Sequence, residues 1–132
     1  MKKTLLTLIV CLLAAIPAAA QNKIDRLVEK YSTVGSSQFT SVVKRNPQTR
    51  QVEKVVKVLK INQGKVKELR EAFMEESSTG TFREKKEDGQ TTLLLTVETP
   101  QAVRIYMLEY GSHPGLTQTK TTIIVKMTSQ KE

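Results

Sequence analysis

The sequence predicts an α+β domain in which an antiparallel sheet of five or six strands carries two amphipathic helices on one face. Four consecutive segments between Thr79 and Met127 are rich in strand-forming residues and are separated by turn-forming residues. Two upstream segments carry apolar residues at helical spacing, and each is followed by a hairpin pattern. The element order is therefore α-β-β-α-β-β-β-β.

Residues 1–20 have the pattern of a secretory signal peptide. Two lysines precede an apolar run from Thr4 to Ile16, and small residues at Ala18 and Ala20 mark a cleavage site before Gln21. The apolar run is shorter than the ~20 residues that a membrane-spanning helix needs. We therefore expect export to the periplasm or the cell exterior, with cleavage after Ala20, no transmembrane helix in the mature chain and a single domain over residues 21–132. The alternative is an uncleaved N-terminal anchor.

Processing would leave a basic chain without cysteine. Cys11 lies within the apolar run, so it would be removed together with Lys2 and Lys3, and the formal net charge would fall from +8 to +6. A mature chain of this size suits one domain that folds without a disulfide or a metal. A moderate positive charge favours anionic partners, although it also serves solubility.

The first helix and the first hairpin occupy residues 22–61. Ile24, Leu27, Val28 and Tyr31 form one apolar stripe, and Asn22 is a suitable N-cap. Strands over 38–45 and 50–61 flank a turn at 46–49 that contains Pro47. The second of these strands also fits helical spacing, but its valine content favours a strand, with a bulge near Val55 and Val56.

The second helix spans residues 62–76. Asn62 is its candidate N-cap, and Val66, Leu69 and Phe73 form its buried stripe. The predicted packing surface for both helices consists of sheet residues: Phe82, Leu93, Leu95, Tyr106, Leu108 and Ile124.

The last four strands follow, and Asp88-Gly89 predicts a two-residue type I′ hairpin turn that sets Glu87 opposite Gln90. Val103–Tyr110 is ambiguous. Pro100 and Gly111 would suit the ends of a helix, whereas alternation and two tyrosines favour a strand. We prefer the strand.

The residue types exclude several kinds of chemistry. The mature chain would have one histidine and no cysteine, so the usual zinc sites are absent, and no calcium-loop or phosphate-loop motif occurs. We therefore expect no metal and no cofactor. Catalysis would have to use His113, with Asp25 or Asp88 to orient its ring, but no nucleophile motif accompanies it. We expect a protein that is not an enzyme.

The strongest candidate for a binding site is the first hairpin, where basic residues are opposed only by Glu53. These candidates for contact with an anionic partner are Lys44, Arg45, Arg50, Lys54, Lys57 and Lys60. The other interpretation is that lysines on an exposed edge strand discourage aggregation. Nucleic acid is not the expected partner, because Phe39 is the one aromatic residue there that could stack on a base.

The chain resembles the small exported domains of unknown function that are common in gut Bacteroidota. The resemblance rests on the Ala-Ala-Ala-Gln cleavage end, KIDRLVEKYS, FTSVVKRNPQTRQVEKVVKVLKI, and the TTLLLTVE and RIYMLEY pair. It implies an envelope or periplasmic location, favours a strand at Arg104–Tyr110 and assigns no functional residue.

Three hypotheses about function remain. The first is a non-catalytic exported binding or accessory domain that contacts an anionic envelope component or another envelope protein through the basic hairpin. The second is a small secreted hydrolase that uses His113, and the third is a protein inhibitor.

Overall fold

A computed structural model describes residues 22–111 and 118–128. The elements are, in chain order, α1 (Lys23–Ser32), β1 (Gln38–Arg45), β2 (Val52–Asn62), α2 (Val66–Glu76), β3 (Thr81–Glu87), β4 (Gln90–Glu98), β5 (Ala102–Gly111) and β6 (Gln118–Met127). One turn of 3₁₀-helix precedes α2 (Gln63–Lys65) and another follows it (Ser77–Thr79). This order confirms the predicted α+β fold, and the ambiguous segment is the strand β5.

All six strands form one antiparallel sheet in the order β1-β2-β6-β5-β4-β3. Strand β6 is therefore inserted between the β1–β2 hairpin and the strands β3 to β5. Residues far apart in sequence consequently become neighbours on β2 and β6. The outer strands of the sheet are β1 at one end and β3 at the other.

The sheet has a covered face and an open face. Both helices pack on the covered face, where the alternate residues Leu59 and Ile61 of β2 and Leu93 and Leu95 of β4 are fully buried. Tyr106, Leu108 and Ile123 continue this core across β5 and β6. Side chains alternate between the faces along each strand, so the intervening residues lie on the open face.

The β3–β4 hairpin has the predicted geometry. Asp88 and Gly89 have φ values of 54° and 77°, as a type I′ turn requires, and Glu87 pairs with Gln90. Phe82 pairs with Leu95, as that register dictates. Gly80 precedes this hairpin, and a Cβ there would collide with the backbone carbonyl of Thr96. The close approach of the two strands therefore requires glycine at this position.

Three local predictions are wrong. Ile124 lies on the open face, and its neighbour Ile123 is the buried residue with 1% exposure, because the register of β6 sets the opposite parity. The irregularity in the first hairpin lies at Glu53, where the partners step from Lys44–Lys54 to Arg45–Val52, and not at Val55 and Val56.

The third wrong prediction concerns the start of α2. Asn62 ends β2, and its side-chain oxygen accepts a hydrogen bond from Gly64 N–H at 2.7 Å. The 3₁₀ turn then intervenes, so α2 begins at Val66 without a side-chain cap. In contrast, the predicted cap of α1 is confirmed, since Asn22 and Asp25 form a reciprocal capping box.

The predicted signal peptide and the loop that contains His113 lie outside the described residues. The expectations about residues 1–20 and about a His113-based active site therefore remain predictions.

Candidate binding face

The open face brings together three of the six predicted basic residues. Lys44 on β1 and Lys54 and Lys60 on β2 lie at alternate positions whose side chains face away from the helices. Lys57 has the opposite parity and lies on the covered face. Arg45 and Arg50 lie at the hairpin end, where the Arg45 guanidinium donates to the Arg50 carbonyl at 3.0 Å. The predicted set is therefore divided among three places.

Strand β6 adds two lysines to the open face that the sequence analysis did not select. Lys126 pairs with Lys54, and Lys120 pairs with Lys60. Two rows result, which we call the three-lysine row (Lys44, Lys54 and Lys126) and the two-lysine row (Lys60 and Lys120). A repeated spacing could have revealed them. The segments Lys54–Lys60 and Lys120–Lys126 each begin and end with lysine, and the two alternate positions between the lysines are Val, Ile or Thr.

Lysines in the same row lie directly opposite one another on adjacent strands. Lys44 pairs with Lys54, Lys54 with Lys126 and Lys60 with Lys120. Adjacent strands are ~4.8 Å apart, and like charges in directly opposed positions destabilise a sheet. The arrangement therefore costs folding stability, and a bound anion would relieve the repulsion.

Acidic side chains are scarce around the two rows. Alternation places no aspartate or glutamate on the open face of β1, of β6, or of β2 from Lys54 to Asn62. Glu53 lies at the irregularity of the first hairpin and accepts a hydrogen bond from Asn46 Nδ2 at 3.0 Å. Within residues 22–111 and 118–128, none of the five lysines makes an ion pair. Four of the five are exposed and Lys54 is half-buried. On the adjacent strand β5, Lys126 pairs with Val103 but Lys120 pairs with Glu109. The three-lysine row therefore has no carboxylate directly opposite any of its members, whereas the two-lysine row has one.

Short apolar side chains lie between the two lysine rows. We call Val42, Val56, Val58 and Ile124 the aliphatic band; Val42 is exposed and the others are half-buried. Lys54 and Lys60 are six residues apart, so the rows are separated by ~20 Å along the strands. Lysine side chains are longer than valine or isoleucine side chains, so the band forms the floor between two charged borders.

Protection of a sheet edge does not explain the lysines of β2 and β6. Strand β2 is an interior strand that pairs with both β1 and β6, and β6 is also interior. The alternative interpretation of the basic hairpin is therefore wrong for Lys54, Lys57 and Lys60. It suits β3 instead, an outer strand in which five consecutive residues from Arg83 to Glu87 are charged.

A buried polar cluster lies on the covered face. The carboxylate of Asp25 accepts hydrogen bonds from Tyr106 Oη at 2.9 Å and from Asn22 N–H at 3.0 Å, and Arg104 Nη1 lies 3.6 Å from it. Asp25 is not part of the predicted apolar stripe of α1, but it is only 8% exposed. Burial raises the pKa of Asp25 despite these partners, and burial together with the nearby Asp25 charge raises the pKa of Tyr106.

This cluster has a structural role. The contacts join the first turn of α1 to the middle of the sheet, and Arg104 Nη1 also donates to Tyr106 Oη at 3.2 Å. The described partners of the Asp25 carboxylate are thus structural contacts. Asp25 also belongs to the capping box of α1, and Asp88 forms the β3–β4 hairpin turn.

The described residues show no further arrangement typical of a catalytic centre. No group of three or more His, Cys, Asp or Glu residues that could hold a metal ion occurs within residues 22–111 and 118–128. Two open depressions in this part of the chain lie at Thr81, Arg83, Leu94 and Thr96, and along one side of α2. No helix in the same ranges is both long and apolar enough to cross a membrane.

Comparison of the chain with protein-family models, with curated proteins and with solved structures finds no match. The function must therefore be argued from the faces of the sheet themselves.

Proposed function

We propose that the chain is an exported, non-catalytic binding domain that holds an anionic partner on the open face of its sheet. The proposal keeps the partner class that the sequence suggested, an anionic envelope component or an acidic envelope protein. It replaces the basic hairpin with the two lysine rows on β1, β2 and β6 as the contact site. Export itself is supported by the signal-peptide pattern of residues 1–20.

The observation that carries the proposal is the three-lysine row. Lys44, Lys54 and Lys126 lie side by side, and no carboxylate lies directly opposite any of them on an adjacent strand. A domain under selection for stability alone gains nothing from this repulsion, whereas a polyanion would gain three adjacent positive charges. The two-lysine row offers a second contact ~20 Å away.

The aliphatic band favours a protein or glycan partner over a lipid bilayer. Within the described residues, no aromatic side chain lies on the open face, since Phe39, Phe82, Tyr106 and Tyr110 all share the parity of the covered face. Proteins that insert into membrane interfaces usually present Trp, Tyr or Phe there. The apolar residues of the band are also shorter than the lysines beside them.

A crosslinked pull-down from the envelope fraction tests the proposal. The native chain serves as bait beside Lys54→Glu/Lys126→Glu, which inverts the three-lysine row. Lys67→Glu/Arg70→Glu is the matched control, because it changes the net charge equally on the exposed side of α2. We expect the native chain and the control to capture the same partner and the open-face variant to lose it. Equal capture by all three would refute the proposal.

The location is tested separately. Fractionation of the producing cell, followed by N-terminal sequencing of the recovered protein, should place it outside the cytoplasm with Gln21 as its first residue. Recovery of the intact chain from the cytoplasm would contradict export.

A further inference from the structure

The outer strand β1 differs from the outer strand β3 in its lack of protection. All eight residues of β1 are exposed, and only the last two, Lys44 and Arg45, are charged. Phe39, Val42 and Val43 are 37%, 56% and 47% exposed. An exposed apolar outer strand with an unpaired edge is a template for pairing with another strand, and proteins normally block such edges with charges.

We propose that two copies of the chain pair through β1 about a twofold axis at Ser41, which joins their sheets into one of twelve strands. This inference does not rest on the proposed function, because pairing through the edge of β1 requires no ligand on the open face. A twofold axis that pairs two antiparallel edges must be perpendicular to the sheet. It therefore keeps the two covered faces on the same side and is centred on a residue.

The register centred on Ser41 is self-complementary. It sets Phe39 opposite the partner's Val43 and Val42 opposite the partner's Thr40, so each exposed apolar residue of β1 gains an apolar or β-branched neighbour. Aromatic and β-branched pairs stabilise antiparallel strands. Lys44 then lies opposite the partner's Gln38, so no like charges are opposed. A register centred on Val42 would instead set Phe39 opposite the partner's Arg45.

The charge of the chain predicts how salt affects the dimer. Each copy is strongly positive, with a formal net charge of +8 for the whole chain. Screening of this repulsion should raise the dimer fraction as ionic strength increases. Binding of an anionic partner to the lysine rows should respond in the opposite direction. The two proposals can therefore fail independently.

Cysteine crosslinking tests the register. In the Cys11→Ser background the chain has no other thiol, so Ser41→Cys introduces a single one at the proposed axis. Directly opposed residues of antiparallel strands have Cα atoms ~4.5–5.5 Å apart, within the range for a disulfide. Glu84→Cys at the centre of β3 is the control. We expect mild oxidation to link Ser41→Cys into a dimer rapidly and to leave Glu84→Cys monomeric.

A second pair of variants fixes the register further. Gln38→Cys and Lys44→Cys should each fail to crosslink alone but should crosslink to one another when mixed. Sedimentation velocity should show a concentration-dependent dimer for the native chain and a monomer for the Val42→Lys variant. This variant should still fold, because Val42 is exposed. Three results would overturn the proposal: a native monomer at every concentration, equal crosslinking at Ser41→Cys and Glu84→Cys, or crosslinking of Ser41→Cys to a different protein.

Discussion

The two faces of the sheet handle charge in opposite ways. On the covered face, Asp25 accepts a hydrogen bond from Tyr106, and Arg104 lies 3.6 Å from its carboxylate. On the open face, Lys44 and Lys126 flank Lys54 on the two adjacent strands, and no acidic residue lies directly opposite any of the three. Buried charges require compensation, whereas exposed charges that repel one another suggest a ligand that compensates them. The covered face therefore supports folding, and the open face is the better candidate for function.

The largest expected difference between the faces concerns two neighbouring isoleucines. Ile123→Ala removes a fully buried side chain from the core and should lower the free energy of unfolding by ~3 kcal/mol, because a cavity remains. Ile124→Ala changes the same residue type one position further on, on the open face, and should cost only about 1 kcal/mol. Urea unfolding of the two variants measures both values. Equal losses would mean that the open face is covered as thoroughly as the other.

A smaller loss is expected from Tyr106→Phe. The substitution removes the hydroxyl that donates to Asp25 Oδ2 and leaves a buried carboxylate with fewer partners. The expected cost is ~1–3 kcal/mol, measured as the free energy of unfolding. A double-mutant cycle with Asp25→Asn isolates the pairwise contribution. A coupling energy of zero would show that the cluster does not join α1 to the sheet as described.

The pH dependence of stability should identify Asp25. Burial raises its pKa in the folded state, so the folded chain binds a proton more tightly than the unfolded chain. Between the unfolded pKa and the raised folded pKa, stability therefore falls as pH increases. Asp25→Asn removes this contribution while Lys57, Arg104 and Tyr106 remain around the site. The difference in unfolding free energy between the native chain and Asp25→Asn should change over that interval and be constant above it. A constant difference at all pH values would contradict the raised pKa.

The smallest expected effect is a gain in stability on removal of a lysine. Lys126→Thr removes the β6 member of the three-lysine row and introduces a good strand former. The free energy of unfolding should therefore increase by up to about 1 kcal/mol at low salt. The gain should shrink in ~1 M salt, where the Debye length is only ~3 Å. Lys67→Thr on α2 is the control and should show no such gain. A loss of stability for Lys126→Thr would indicate that the lysine is compensated in the folded state.

Most of the secondary structure could be predicted from local sequence patterns. Helical spacing at Ile24, Val28 and Tyr31 and the turn at Asp88-Gly89 each depend on neighbouring residues and were predictable. The parity of β6 was not predictable, because Ile123 and Ile124 are equally apolar and only the pairing with β2 and β5 decides which one is buried. The Asp25–Tyr106 hydrogen bond joins residues 81 positions apart and has no local signal.

The candidate site was only half predictable for the same reason. The basic hairpin identified Lys44, Lys54 and Lys60 from their density in one segment. Lys120 and Lys126 joined them only because β6 is inserted beside β2, a choice of strand order that periodicity does not encode. Lys57 was selected with them but lies on the covered face, since charge density along the chain ignores the alternation of side chains between the two faces.

Retention on a defined polyanion tests the central claim most directly. The native chain, Lys54→Glu/Lys126→Glu and Lys67→Glu/Arg70→Glu are applied to immobilised heparin and to immobilised polyglutamate at low salt, and the salt concentration needed for elution is recorded. We predict that the native chain is retained on at least one matrix and that the α2 variant elutes close to it. The open-face variant should pass through unretained. Passage of the native chain through both matrices, or equal losses for the two variants, would contradict a binding site on the lysine rows.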